Sequence, residues 1–220
     1  MIWHPSPNYG PRRDGLRPHM VVLHYTAMGC AQEALDRLCD PGAEVSAHYL
    51  IDRCGTCYQM VAEDMRAWHA GAGAWAGLLD INSRSIGVEL VNTGAEPFPF
   101  PQMCALAALL RDVLARWAIA PVNVIGHSDM APDRKADPGP RFDWRALARS
   151  GVAVWPDGAA EGSDLDTSLT CIGYPPAQTV TRLAAFRARF RPEGRGPVTD
   201  ADARRAAYVA SAFERLRCRS

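Results

Sequence analysis

Two of the six histidines, His24 and His127, stand at the C-terminal ends of short apolar runs, Met20 to Tyr25 and Val122 to Ile125. Strand ends open onto loops, where polar side chains can face a cleft. A lone histidine in such a place is usually a satisfied structural group. Two in equivalent places point to a shared metal. The segment after His127, Ser128 to Pro140, carries three prolines and a glycine and ends in Asp137-Pro138-Gly139-Pro140, so it is stiff and must turn back on itself. Zinc needs three or four N, O or S ligands about 2 Å away. Two imidazoles and the Asp137 carboxylate leave a fourth position for water, and water held there can fall to a pKa of about 7.

Hydrolysis also needs a base for the proton of water and a donor for the oxyanion. Glu89 interrupts the otherwise apolar strand pattern Ser85 to Val91, and its alternation partners Gly87 and Val91 place it on a buried or cleft-facing surface. A salt-bridged structural glutamate is the competing reading. Lys135 is the only lysine beside 23 arginines. It stands two residues before Asp137, where an extended chain points both side chains to one side. A compact ammonium suits a single oxygen, whereas the arginine fork suits bidentate partners.

Other candidates carry weaker patterns. Cys54-Gly55-Thr56-Cys57 has the spacing of a zinc knuckle but lacks a second pair, so a hairpin turn with two thiols at its rim is the better reading. His48 lies within a strand pattern and reads as structural. Trp68-His69 sits among small residues in a loop and suits a groove wall touching sugar or peptide.

These groups need a framework. The predicted strands are Met20 to Tyr25, Ser46 to Ile51, Tyr58 to Val61, Ser85 to Val91 and Val122 to Ile125. The helices are Ala31 to Cys39, about Pro101 to Trp117, and a short one from about Asp143 to Arg149. Residues before Pro18 read as an extended arm, and Ser128 to Pro140 as loop. The class is α/β, a mixed central sheet flanked by helices. After Asp157, Gly158 to Ser163 reads as a linker. Three further helices follow, Asp164 to Cys171, Thr179 to Arg189 and Asp200 to Leu216, with Asp164, Thr179 and Thr199 or Asp200 as caps. The expected division is 1–157 for the chemistry and 164–220 for a small three-helix module.

In this order, Val22-Leu23-His24-Tyr25-Thr26, Ser46-Ala47-His48-Tyr49-Leu50-Ile51, Arg66-Ala67-Trp68-His69-Ala70-Gly71, Ser85-Ile86-Gly87-Val88-Glu89-Leu90 and Gly126-His127 through Pro140 resemble the type 2 N-acetylmuramoyl-L-alanine amidases. The likeness covers about residues 15 to 157. It is strongest to the bacterial anhydro-muropeptide amidases with a small C-terminal peptidoglycan-binding-like module, which residues 164 to 216 resemble weakly. The resemblance implies one Zn2+ per chain held by His24, His127 and Asp137, with Glu89 as general base and Lys135 stabilising the oxyanion. It implies cleavage between the lactyl group of N-acetylmuramic acid, or its anhydro form, and L-alanine of the stem peptide. A muropeptide-binding protein that does not cleave, a zinc peptidase cutting elsewhere and a domain with chance histidines are the alternatives.

Composition narrows the field. Among 220 residues, 24 Lys+Arg balance 24 Asp+Glu and 48% are apolar, which fits a globular chain and argues against a nucleic-acid binder. From Gly158 onward 10 arginines face 7 acidic residues. No apolar run reaches the ~20 residues of a membrane span. Seven unpatterned cysteines and the lack of a signal peptide suggest a cytoplasmic location; a monomer is expected, and the resemblance implies peptidoglycan or anhydro-muropeptide fragments as its partners.

Overall fold

The computed structural model describes residues 1–161 and 164–218. Two short strands, β1 (Ile2–Trp3) and β2 (Tyr9–Pro11), precede the central strand β3 (Met20–Tyr25). Helix α1 (Ala31–Cys39) leads to β4 (Tyr49–Ile51), β5 (Cys57–Gln59) and β6 (Met65–Ala67). The one-turn helix α2 (Ile81–Arg84) runs into β7 (Ser85–Leu90), followed by the long helix α3 (Phe100–Trp117). Strand β8 (Val124–Gly126), the short helix α4 (His127–Met130) and α5 (Trp144–Arg149) complete the first part of the chain. Helices α6 (Leu165–Ile172), α7 (Thr179–Phe190) and α8 (Asp200–Arg217) follow.

The larger sheet has the order β1-β5-β4-β7-β3-β8, with β4, β7, β3 and β8 parallel and β5 antiparallel to β4. Both faces are covered, which is why β3 and β7 read as nearly continuous apolar runs. Val21, Leu23, Ile86 and Val88 pack against the Leu106, Leu110 and Val113 stripe of α3. Met20, Val22 and Ile125 face the other way, into a cluster with Leu169, Phe186, Phe190 and Phe213 of α6, α7 and α8. One apolar cluster therefore spans the sheet and the C-terminal helices. His24 alternates with Met20 and Val22 and shares their face.

Several sequence expectations shift. The segment before Pro18 is not only an arm: β1 pairs with β5 at the sheet edge, and β2 pairs with β6. Strands of two or three residues containing Pro and Gly have no periodicity to read. Ser46 to Ile51 shortens to Tyr49–Ile51 because the Ser46 and His48 amides bond to Trp68 O and Gly87 O. The Cys54–Cys57 segment is a hairpin turn, with the Asp52 carbonyl accepting from the Gly55 N–H. Helix α4 replaces the start of the expected Ser128 loop. Asp164 and Thr199 cap α6 and α8, but at α7 Gln178 takes the N-cap position without a side-chain capping bond, and the Thr179 hydroxyl donates to Asp166 instead. Gly162 and Ser163 of the expected linker lie outside the described residues. Among the described residues no helix is long and apolar enough to cross a membrane.

Candidate metal centre and cleft

β3 and β7 pair in parallel with His24 opposite Glu89. Paired residues of parallel strands project from the same face, so imidazole and carboxylate both reach the space beyond the strand ends, where open α/β sheets place ligands. On the other side of β3, Gly126 lies opposite Leu23 and hands the chain to His127. Gly126 has a steric reason: a Cβ there would lie 2.6 Å from Pro138 Cδ. The loop returns as its composition demands, with the Ser128 N–H donating to Asp137 O at 2.9 Å. That bond brings Asp137 back beside His127.

The result is a tight triangle. His24 Nδ1 lies 2.9 Å from His127 Nδ1, and each is 3.1 Å from Asp137 Oδ2. The three residues form a buried group able to hold a metal. His127 Nε2 faces the carbonyl of Ala70 at 2.9 Å. A carbonyl only accepts, so the neutral ring carries its proton on Nε2 and offers a lone pair at Nδ1. That lone pair meets the carboxylate oxygen with no proton between them, a contact that a cation resolves. Ligands about 2.0 Å from a tetrahedral zinc stand about 3.3 Å apart, close to the observed edges. The donor set, N, N and O, fits zinc with one position open.

The electrostatics agree. Burial, with His127 beside it, pushes His24 down to about 4 despite the opposing pull of Asp137. Burial favours neutral Asp137, but the two imidazoles packed against its Oδ2, His127 and His24, outweigh it and hold the carboxyl well below the usual range. Burial pushes the Glu89 carboxyl up to about 8, with Asp137 adding and Lys135 opposing. Glu89 Oε2 is buried and has no hydrogen-bond partner. A buried, unpartnered carboxylate oxygen is costly, and this one lines the same cleft as the triangle. The salt-bridged structural glutamate considered from the sequence is thus absent among the described residues.

The cleft has a volume of about 490 Å³ and is lined by His24, Glu89, His127, Lys135 and Asp137 together with Trp68 and His69. Lys135 is exposed at its rim. Its neighbour Arg134 grips the carbonyls of Ala70 and Ala72. Arg134 straps the 70–72 loop and had no sequence signal. Trp68 lines the cleft and is half-buried. Both ring nitrogens of His69 are taken up inside the protein, Nδ1 3.0 Å from His24 Nε2 and Nε2 3.1 Å from Ser85 Oγ. His48 is structural: Nδ1 accepts from the Gly87 N–H and Nε2 faces Met65 O. The His69 position had one readable clue, a glycine at mid-strand. A Cβ on Gly87 would lie 2.4 Å from His69 Cγ, the close approach that strand glycines often mark.

The family model described as N-acetylmuramoyl-L-alanine amidase matches residues 14–140. The chain is 37% identical over 212 residues to the N-acetylmuramoyl-L-alanine amidase AmiD of Escherichia coli (strain K12), a match covering 80% of this chain and 76% of that one. It is 38% identical over 157 residues to the 1,6-anhydro-N-acetylmuramyl-L-alanine amidase AmpD of Salmonella typhimurium (strain SL1344), covering 64% of this chain and 84% of that one. The solved structure of the E. coli AmiD complex with anhydro-N-acetylmuramic acid-L-Ala-D-gamma-Glu-L-Lys superposes with a TM-score of 0.78 at 32% identity, over 96% of this chain and 91% of that chain.

Proposed function

The chain belongs to the N-acetylmuramoyl-L-alanine amidase family, and from that premise we propose that it hydrolyses the amide between the lactyl group of N-acetylmuramic acid, or its anhydro form, and L-alanine of the stem peptide. The observation that carries this reading is the convergence of His24, His127 and Asp137 beside an unpartnered Glu89 carboxylate. His24, His127 and Asp137 would hold one Zn2+, which would supply the Lewis acidity that makes water a nucleophile near neutral pH and polarises an amide carbonyl. Glu89 takes the proton of the attacking water and delivers it to the alanine nitrogen as the C–N bond breaks. Lys135, flexible at the rim, sets its ammonium against the oxyanion that develops on the lactyl carbonyl. Trp68 offers an indole face to sugar or peptide.

The cleft is lined by one chain, so a monomer is sufficient. All seven cysteines are free, which supports a reducing, cytoplasmic setting and a role in recycling soluble fragments. Residues 1–157 carry the chemistry and 164–220 serve as the wall-fragment-binding module. The test is incubation of purified protein with an anhydro-muropeptide, with products read by mass spectrometry. Release of the free stem peptide, its loss on chelation and its return with zinc support the proposal. Binding without cleavage returns the protein to a recognition role, and cuts within the peptide make it a peptidase.

A further inference from the structure

The two histidines of the triangle are oriented by different means. His127 meets a backbone carbonyl directly. His24 does not: its Nε2 faces another imidazole, His69 Nδ1, at 3.0 Å. Two such nitrogens leave the proton's position undecided, and either tautomer of His24 could follow. The decision comes from further along. His69 Nε2 faces Ser85 Oγ at 3.1 Å, and the Ser85 hydroxyl donates to the Ile81 carbonyl at 2.6 Å. With its one proton committed to that carbonyl, Ser85 can only accept from His69. His69 is then protonated at Nε2 and bare at Nδ1, so it accepts the Nε2–H of His24. His24 is left with its lone pair on Nδ1, pointing at His127 and Asp137.

We propose that His69, backed by Ser85, is a positioning residue that fixes the tautomer and ring orientation of His24 for metal binding. The surroundings are built for this. His69 lies against Gly87, whose missing side chain makes room for the ring, and His48 and His24 flank it with ring centroids 5.8 and 5.1 Å away. Its backbone N–H and that of Ala70 both bond to Asn82 Oδ1, at 3.1 and 2.8 Å. The same Asn82 contact therefore holds the segment whose Ala70 carbonyl orients His127. One short segment, His69-Ala70, thus directs both imidazoles, once through a side chain and once through the backbone.

The inference rests on the triangle being the metal site. It is tested by two nearly isosteric variants, His69→Asn and His69→Leu, with zinc affinity measured by chelator competition and ligand geometry by the visible spectrum of the Co2+-substituted protein. Asn keeps an acceptor near the Nδ1 position and Leu removes it. His69→Leu is expected to weaken zinc binding about 10- to 100-fold, the usual effect of losing such a partner, and to alter the Co2+ bands. His69→Asn is expected to restore both to near wild type. Ser85→Ala, which leaves His69 free to adopt either tautomer, should weaken zinc binding several-fold and stands as the test if the Leu variant does not fold. Equal zinc affinities in wild type, Asn and Leu variants, or no change in Ser85→Ala where Leu fails to fold, overturn the proposal. So does a raised KM with unchanged zinc affinity, which makes His69 a substrate contact. A wild-type protein that binds no zinc overturns the reading of the metal site itself.

Discussion

Helix α4 carries His127 and Asp129 two residues apart, both buried, at 3% and 1% exposure, and they meet opposite circumstances. Asp129 is fully supplied with donors. Its Oδ2 accepts from the Gly126 N–H at 2.8 Å and from Arg189 Nη1 at 2.5 Å, and its Oδ1 accepts from the Tyr174 hydroxyl at 2.8 Å. Arg189 also bonds Val124 O and lies 4.2 Å over the Trp144 ring. His127, by contrast, points a bare lone pair at a second imidazole and a carboxylate, with Glu89 unpartnered nearby. Where a carboxylate meets a counter-charge and donors on both oxygens, the cluster fastens α7 to α4, although Arg189 Nε is left without a partner. Where acceptors crowd together without protons, the cluster is shaped for a cation. Burial does not separate structure from function here; the match between donors and acceptors does.

The sharpest way to break this contrast is Glu89→Gln. The amide is the same size but cannot take a proton, so kcat should fall on the order of 10³-fold, about 4 kcal/mol. Zinc content, read by elemental analysis, should stay at one per chain. Loss of the metal along with activity would place Glu89 among the ligands.

The balanced cluster should respond in stability instead. Arg189→Met keeps an apolar stem against Trp144 and Phe190 but leaves Asp129 buried without its counter-charge, at a cost of about 3 kcal/mol. Denaturant unfolding measures that loss, and zinc affinity of the folded protein should stay within a few-fold. If stability holds and zinc is lost, the clamp belongs to the site. Lys135→Arg probes the site side again. Arg134 already shows what a fork does at this place, gripping two carbonyls. A second fork should lower turnover by on the order of 10²-fold, about 2.7 kcal/mol, the scale of a lost oxyanion donor. Because position 135 is exposed, stability should change by less than about 0.5 kcal/mol.

The contrast also explains what the sequence could reveal. The long elements were legible from period and breakers: β3, α1, β7 and α3 fall within a residue or two of the expected spans. The five residues of the proposed chemistry were legible as types in places, a histidine at each of two strand ends and a glutamate out of pattern. Their meeting was not, because the distances depend on β3 lying between β7 and β8 and on the Ser128–Asp137 bond. The Arg189–Asp129 clamp was invisible. It joins residues 60 positions apart, and Arg189 reads as one more arginine on an amphipathic helix. The expected linker at 158–163 divided chain segments that share one apolar cluster. Cap residues and compositional breaks report local chain behaviour, and they carry no information on which faces pack together.

Tyr174→Phe asks for the smallest change and separates the two clusters most cleanly. The ring stays against Trp75, where the centroids are 5.4 Å apart, so apolar packing is preserved. Only the hydroxyl bond to Asp129 Oδ1 is removed, leaving one oxygen of a buried carboxylate without that donor. A hydrogen bond to a charged group is worth about 2 kcal/mol, and denaturant unfolding should show a loss of that size. Asp129 would still hold Gly126 and Arg189 through Oδ2, so His127 should keep its place, with kcat and zinc affinity unchanged within error. If activity falls with stability, the clamp sets the position of His127, and the cluster beneath the site then serves catalysis as well as folding.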